Sequence, residues 1–230
     1  SPRFAYLLPN YQNPSGLMLS AERRQEAAKM AQRYEIPLLE DDAYAGLTFD
    51  GNIPPSLYGY APDNTIYVGT FSKTLAPGLR LAYIVADKNL ISKLVETKQG
   101  TDLHTSSFGQ LLAYECIEGG FLEEHSRFIS SLYGERCARM LAQMDAHFPQ
   151  EVTWTRPSGG MFIWVTLPEH MSAQKLFEVA LEQEVAFVPG TPFYANGGGE
   201  NTLRLNFSSS SLERIDLGIE RLGKAIRAAM

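Results

Sequence analysis

Short apolar runs with β-strand character alternate with helical patterns along the first part of the chain, and this alternation restricts the possible folds more than any other feature. Phe4–Leu8, Ile36–Glu40, Thr65–Thr70 and Leu81–Ala86 read as strands. Ser20 stands where it can cap a helix that carries Glu22 in its first turn and runs to about Tyr34, with Ala27, Ala31 and Tyr34 on one face. Strands separated by helices imply βαβ units and a largely parallel sheet. The loop between the third and fourth strands is shorter than the roughly dozen residues that a parallel crossover takes. The first three strands are therefore expected to be parallel and the fourth antiparallel. Polar residues capable of chemistry follow the strand ends, where open α/β sheets bind ligands. The acidic pair Asp41 and Asp42 ends the second strand, and Lys73 lies in the loop after the third.

Residues 88–148 read as mainly helical, and the proline-free stretch Phe121–Phe148, with Phe128, Leu132, Met140, Leu141 and Met144, reads as one long helix linking two domains. A smaller α/β unit follows, with strands at about Val152–Thr155, Gly160–Leu167, Ala186–Val188 and Thr202–Phe207, a helix from Ser172 and a last helix from Ser211. Leu212, Ile215, Ile219, Leu222 and Ile226 recur at steps of three and four and define a buried stripe on that last helix. Ser210 and Glu213 fit a capping box at its start. The expected organisation is residues 1–120 in a larger domain, 121–148 as the linking helix and 149–230 as a smaller domain.

Composition excludes several classes of protein. At 230 residues and 44% hydrophobic content, the chain can bury a sizeable core. A net charge of −6 and scattered basic residues argue against a nucleic-acid surface. No apolar run approaches the ~18 residues that cross a bilayer, and the first residues lack the basic and apolar regions of a signal peptide. Cys116 and Cys137 are too far apart for a CxxC motif and read as reduced thiols of a cytosolic protein. His104, His125, His147 and His170 show no metal-ligand spacing.

The chemistry centres on residues 67–80, Tyr-Val-Gly-Thr-Phe-Ser-Lys-Thr-Leu-Ala-Pro-Gly-Leu-Arg. A lysine that forms a Schiff base must be able to lose its charge near neutral pH, which requires partial desolvation or a nearby cation. Apolar runs flank Lys73 on both sides, and Thr70, Ser72 and Arg80 offer donors for a phosphate ester. Two upstream segments precede it, Pro-Asn-Tyr-Gln-Asn-Pro-Ser-Gly at 9–16 and Leu-Leu-Glu-Asp-Asp-Ala-Tyr at 38–44. In this order and spacing the three motifs resemble the fold-type I pyridoxal-phosphate aminotransferases, in the branch that includes 2-aminoadipate and kynurenine aminotransferases. The resemblance runs from about Phe4 to the C-terminus.

The resemblance implies a type I PLP-dependent transferase fold with pyridoxal 5'-phosphate as cofactor. It makes Lys73 the Schiff-base lysine and Asp41, rather than Glu40 or Asp42, the carboxylate beside the ring nitrogen. Asn13 and Tyr44 become donors to the phenolic oxygen, and Thr70, Ser72 and Arg80 the phosphate ligands. Thr70 replaces the serine most frequent at that position and keeps the hydroxyl. Arg204, in Asn-Thr-Leu-Arg-Leu-Asn-Phe, becomes the partner of the substrate α-carboxylate, a role that suits a guanidinium flanked by apolar residues. The turn Ser158-Gly159-Gly160 falls near the substrate mouth. The implied reaction is transamination between an α-amino acid and a 2-oxo acid, commonly 2-oxoglutarate, by a cytoplasmic homodimer.

The resemblance also places the start of the sequence inside the large domain, with an N-terminal portion lying outside it. The segment alone is therefore expected to be inactive. MocR-type regulators, which fuse a DNA-binding helix-turn-helix to an aminotransferase-like sensing domain, share much of the lysine stretch. Their acidic motif frequently reads Glu-Asp-Asp-Tyr, whereas Ala43 precedes Tyr44 here, which favours the enzyme.

Overall fold

The computed structural model describes residues 2–230. They form two compact units, one built from residues through Asn10 and from Met18–Ser130, the other from Tyr11–Leu17 and Ser131–Met230.

The first unit holds a four-stranded sheet, β1 (Ala5–Leu7), β2 (Leu38–Asp42), β3 (Thr65–Thr70) and β4 (Ala82–Val85), in that spatial order. β1–β2 and β2–β3 are parallel, and β4 returns antiparallel with Thr70 opposite Ala82, as the short lysine loop requires. The helices are α1 (Ala21–Tyr34), α2 (Leu57–Tyr60), α3 (Lys88–Asp102), α4 (Ser107–Glu118) and α5 (Phe121–His147), the last contributing residues to both units.

The Ser20 side chain accepts from the Arg23 amide and caps α1. Arg24, Ala28 and Ala31 of α1 are buried, while Tyr34 at its end is 57% exposed. The local core is Ala31, Leu38 and Leu57, with Ala5, Leu7 and Ala27 packed against it. Glu40 lies on the same sheet face as Leu38 and is fully buried. Its carboxylate accepts from the Leu57 and Tyr58 amides at 3.0 and 2.9 Å, which satisfies the orphan donors at the start of α2. Burial pushes the Glu40 carboxyl pKa up, and those two N–H donors offset only part of the rise. Large apolar side chains stay exposed just after α3 and on α4, Leu103 and Phe108 at about three-quarters exposure.

The second unit is built on an antiparallel sheet of β5 (Thr153–Trp154), β6 (Phe162–Thr166), β7 (Val188–Pro189) and β8 (Thr202–Asn206), in the spatial order β5-β6-β8-β7. Two helices, α6 (Ala173–Glu182) and α7 (Leu212–Ala229), complete it. Ile215, Ile219, Leu222 and Ile226 of α7 are buried, and Leu212 at the end of the stripe is partly exposed. The cap of α7 also departs from expectation. Ser211, not Ser210, is the N-cap and accepts from the Arg214 amide, so Glu213 falls one position short of the reciprocal place in a capping box. Among the described residues no helix is long and apolar enough to cross a membrane, and no cluster of His, Cys, Asp and Glu could hold a metal ion.

Candidate active site

Because β1, β2 and β3 are parallel, their C-terminal ends share one edge of the sheet, and β4 starts at that same edge. This edge brings together Asp41 near the end of β2 and Tyr44 just after it, Thr70 at the end of β3 with Ser72 and Lys73 in the loop that follows, and Arg80 before β4.

The period of two along a strand sends Asp41 and Asp42 to opposite faces. Asp42 is tied into the framework by the Asn10 amide at 2.8 Å, the Tyr67 hydroxyl at 2.7 Å and the Ala45 N–H at 3.2 Å. Asn10 in turn accepts at 2.6 Å from Arg24, whose guanidinium also donates to the carbonyls of Pro9, Leu19, Pro54 and Pro55. Burial together with the Asp42 carboxylate raises the Tyr67 phenol pKa, so Tyr67 remains a donor. On the other face, Asp41 accepts from the Tyr6 hydroxyl at 2.6 Å. Tyr44 is buried in the turn that follows, its carbonyl accepting from the Leu47 amide.

In the lysine loop the Thr70 hydroxyl donates to Ser72 Oγ at 3.1 Å and accepts from the Ser72 amide at 3.1 Å, which pairs the two hydroxyls. The Leu75 and Ala76 amides both donate to the Phe71 carbonyl and close the turn that carries a half-buried Lys73. Arg80 ends a short helical turn in the left-handed region at φ 51°, a conformation uncommon outside glycine and concentrated at functional sites. Its guanidinium is exposed, with one contact to the Pro77 carbonyl.

The second unit carries its own cluster. Arg204 on β8 donates to Asn13 Oδ1 at 2.6 Å and lies over the rings of Phe162 and Phe193, 4.2 and 5.2 Å from their centroids. The partners of this guanidinium include an amide oxygen and two aromatic faces, and its burial is partial. Asn13 reaches Arg204 because Tyr11–Leu17 folds with the second unit. Gly159 and Gly160 make room for it. A Cβ on Gly159 would lie 2.3 Å from the Tyr11 ring, and one on Gly160, at φ 73°, would lie 2.6 Å from Tyr11 Cβ. Gly160→Ala is expected to cost about 2–4 kcal/mol in denaturant unfolding, since contact and backbone both oppose it. Gly218→Ala, with open space around it on α7, should stabilise by up to about 1 kcal/mol, so the pair separates crowding from a generic glycine effect.

Tyr6, Asn10, Arg24, Phe162 and Phe193 were not anticipated from the sequence. The available signal for Tyr6 was its place between Ala5 and Leu7 on a strand, which turns it away from the core face.

The donor set suits a phosphorylated pyridine aldehyde. Two paired hydroxyls and an arginine match a dianionic phosphate, a carboxylate at the same sheet edge matches a protonated ring nitrogen, and a half-buried lysine lies between them in sequence. Residues 5–222 match the family described as aminotransferase class I and II. The chain is 45% identical over 233 residues to the 2-aminoadipate transaminase of Thermus thermophilus, covering all of this chain and 58% of that protein. It superposes with a TM-score of 0.93 on the crystal structure of the Thermus thermophilus α-aminoadipate aminotransferase LysN complexed with N-(5'-phosphopyridoxyl)-L-leucine, at 45% identity, covering 99% of this chain and 59% of that one. It is also 31% identical over 226 residues to the uncharacterized HTH-type transcriptional regulator YisV of Bacillus subtilis, covering 98% of this chain and 46% of the regulator. The chain thus spans a little over half the length of the first of these curated relatives. Pyridoxal phosphate is the cofactor that the family and the phosphopyridoxyl ligand of the Thermus structure indicate. With its type I fold and these matches, the chain belongs to the class I and II aminotransferase family.

Proposed function

We propose that the whole protein transfers the amino group of an α-amino acid to a 2-oxo acid, with 2-oxoglutarate as acceptor, and that this chain supplies most of the residues for the chemistry. The observation that carries this reading is the placement of Asp41, Thr70, Ser72 and Lys73 on one edge of three parallel strands.

When bound, pyridoxal phosphate supplies an electron sink conjugated to the amino acid's α-carbon. The Lys73 amine would anchor the cofactor covalently through its aldehyde carbon, with loss of water, and once free its Nζ would take the α-proton and return it. Asp41 holds a proton on the ring nitrogen by placing a carboxylate beside it. Thr70, Ser72 and Arg80 bind the phosphate, the arginine with its full charge and the hydroxyls with directed hydrogen bonds. Asn13 and Tyr44 donate to the phenolic oxygen. Arg204 grips the substrate α-carboxylate in a bidentate pair and so orients the bond that breaks.

Replacing Arg204 by lysine keeps the charge and loses the fork. Losing such a contact costs on the order of 2–5 kcal/mol, so kcat/KM for the amino acid should fall at least about thirtyfold while the visible spectrum of the bound cofactor stays nearly unchanged. A loss below about threefold would assign Arg204 a structural role instead.

The identity with YisV favours a second reading, an effector-sensing domain of a transcriptional regulator. Incubating the whole protein with amino acid and 2-oxoglutarate separates the two. Many equivalents of glutamate per protein chain are expected of the enzyme. Cofactor binding without turnover would favour the regulator.

A further inference from the structure

The two adjacent carboxylates at the end of β2 are treated differently by the fold. Asp42 accepts from three donors and is committed to the framework. Asp41 takes one hydrogen bond, on Oδ2, from Tyr6 of the neighbouring parallel strand. Tyr6 pairs with Leu39 in the β1–β2 register, so its side chain and that of Asp41, two residues further along β2, share a sheet face. The ring is 53% exposed and adds little to the core, yet its hydroxyl reaches the carboxylate at 2.6 Å.

We propose that Tyr6 is a positioning residue for Asp41: its hydroxyl fixes the plane of the carboxylate through Oδ2 and leaves Oδ1 to accept from the cationic ring nitrogen. This rests on the reading of Asp41 given above. A carboxylate on a short side chain turns about its last torsion across a broad range. A charge-assisted hydrogen bond to one oxygen removes that freedom, so less order is lost when the second oxygen engages a cation. The phenol can serve only while it keeps its proton. Partial burial and the neighbouring Asp41 carboxylate raise its pKa, which keeps the donor in place through the neutral range.

The test uses four forms of the whole protein: unaltered, Tyr6→Phe, Asp41→Asn and the double variant. Three quantities are measured, namely the dissociation constant of the apoprotein for pyridoxal phosphate, the pH midpoint of the visible absorption of the bound cofactor, and the melting temperature of the apoprotein. Tyr6→Phe should weaken cofactor binding about tenfold, the loss of one hydrogen bond to a charged group. It should also move the absorption midpoint in the same direction as Asp41→Asn, by less. In the Asp41→Asn background the tyrosine change should add less than about twofold, because the two residues act through one carboxylate. An equal effect of Tyr6→Phe in both backgrounds would overturn the proposal. So would a lower melting temperature with affinity and midpoint unchanged, which would mark the bond as structural only. If Asp41→Asn itself leaves affinity and midpoint unaltered, the reading of Asp41 fails and takes the proposal with it, an outcome distinct from failure of the Tyr6→Phe arm alone.

Discussion

Lys73→Arg in the whole protein is expected to lower kcat by about a thousandfold or more, equivalent to roughly 4 kcal/mol of barrier. A guanidinium stays protonated at every accessible pH, so it can neither attack an aldehyde nor accept an α-proton. On the proposed reading, removing the lysine removes both the covalent anchor and the base, which act on successive steps. The fold should tolerate the change: Lys73 is half-buried in a turn held by backbone bonds to the Phe71 carbonyl, and none of those bonds involves its side chain. The melting temperature of the apoprotein should therefore move little. Borohydride reduction of the unaltered protein with its cofactor, followed by peptide mapping, should leave a pyridoxyl group on Lys73. A label on another lysine, or a Lys73→Arg variant within tenfold of full activity, would remove the basis of the assignment.

The largest expected loss of stability comes from Arg24→Met. Arg24 is fully buried, and its guanidinium donates to Leu19 O at 2.8 Å, Pro9 O at 3.2 Å, Asn10 Oδ1 at 2.6 Å and, more weakly, to Pro54 and Pro55 O at 3.4 Å. Methionine fills a similar volume and removes the Arg24 donor from all of these oxygens, of which Pro9 O keeps the Leu19 amide at 2.8 Å. Each buried orphan costs about 1–3 kcal/mol, and breaking a buried charged network by removing one member typically costs about 3–5 kcal/mol. A destabilisation of about 3–5 kcal/mol by denaturant unfolding is therefore expected, a large share of the roughly 5–15 kcal/mol that holds a domain together. The effect should reach the site as well. Asn10 would lose the partner of its carbonyl oxygen, and through its amide it holds Asp42, the neighbour of Asp41. A loss below 1 kcal/mol would show that these oxygens find water instead.

The sheet of the first unit was legible because its pattern is local. Apolar runs of strand length mark the strands, the capped helix between the first two suits a parallel crossover, and the loop too short for a crossover sets β4 antiparallel to β3. The Ser20 cap was legible for the same reason, since N-cap and bonded amide lie three residues apart. The α7 cap shows the limit of that reasoning. Consecutive serines offer several candidates, and which one takes non-helical dihedrals depends on how the chain leaves β8. Periodicity places Tyr34 in line with Ala27 and Ala31, but which residues of α1 are buried is set by where Arg24 and Ala28 meet the rest of the unit.

The candidate site divides along the same line. The lysine loop, the acidic pair and the Asn-Pro-Ser-Gly segment are contiguous motifs in which residue type and spacing carry the chemistry, so Lys73, Asp41, Tyr44, Thr70, Ser72, Arg80 and Asn13 could all be named without coordinates. Their supporting partners could not. Tyr6 meets Asp41 across 35 positions and Arg204 meets Asn13 across 191, and spacing along a chain holds no information about such pairs. Arg24, an arginine on a helix, reads as a solvated charge until its carbonyl partners are seen to converge on it. By itself the sequence determined the strand and helix pattern, the strand directions of the first sheet and the motifs that nominate the candidate site residues, because periodicity, turn length and motif spacing are short-range properties. Only the tertiary structure decided which unit Tyr11–Leu17 joins, which neighbours orient Asp41 and Arg204, and why Gly159 and Gly160 carry no side chain, because these follow from close packing between segments that meet only once the chain is folded.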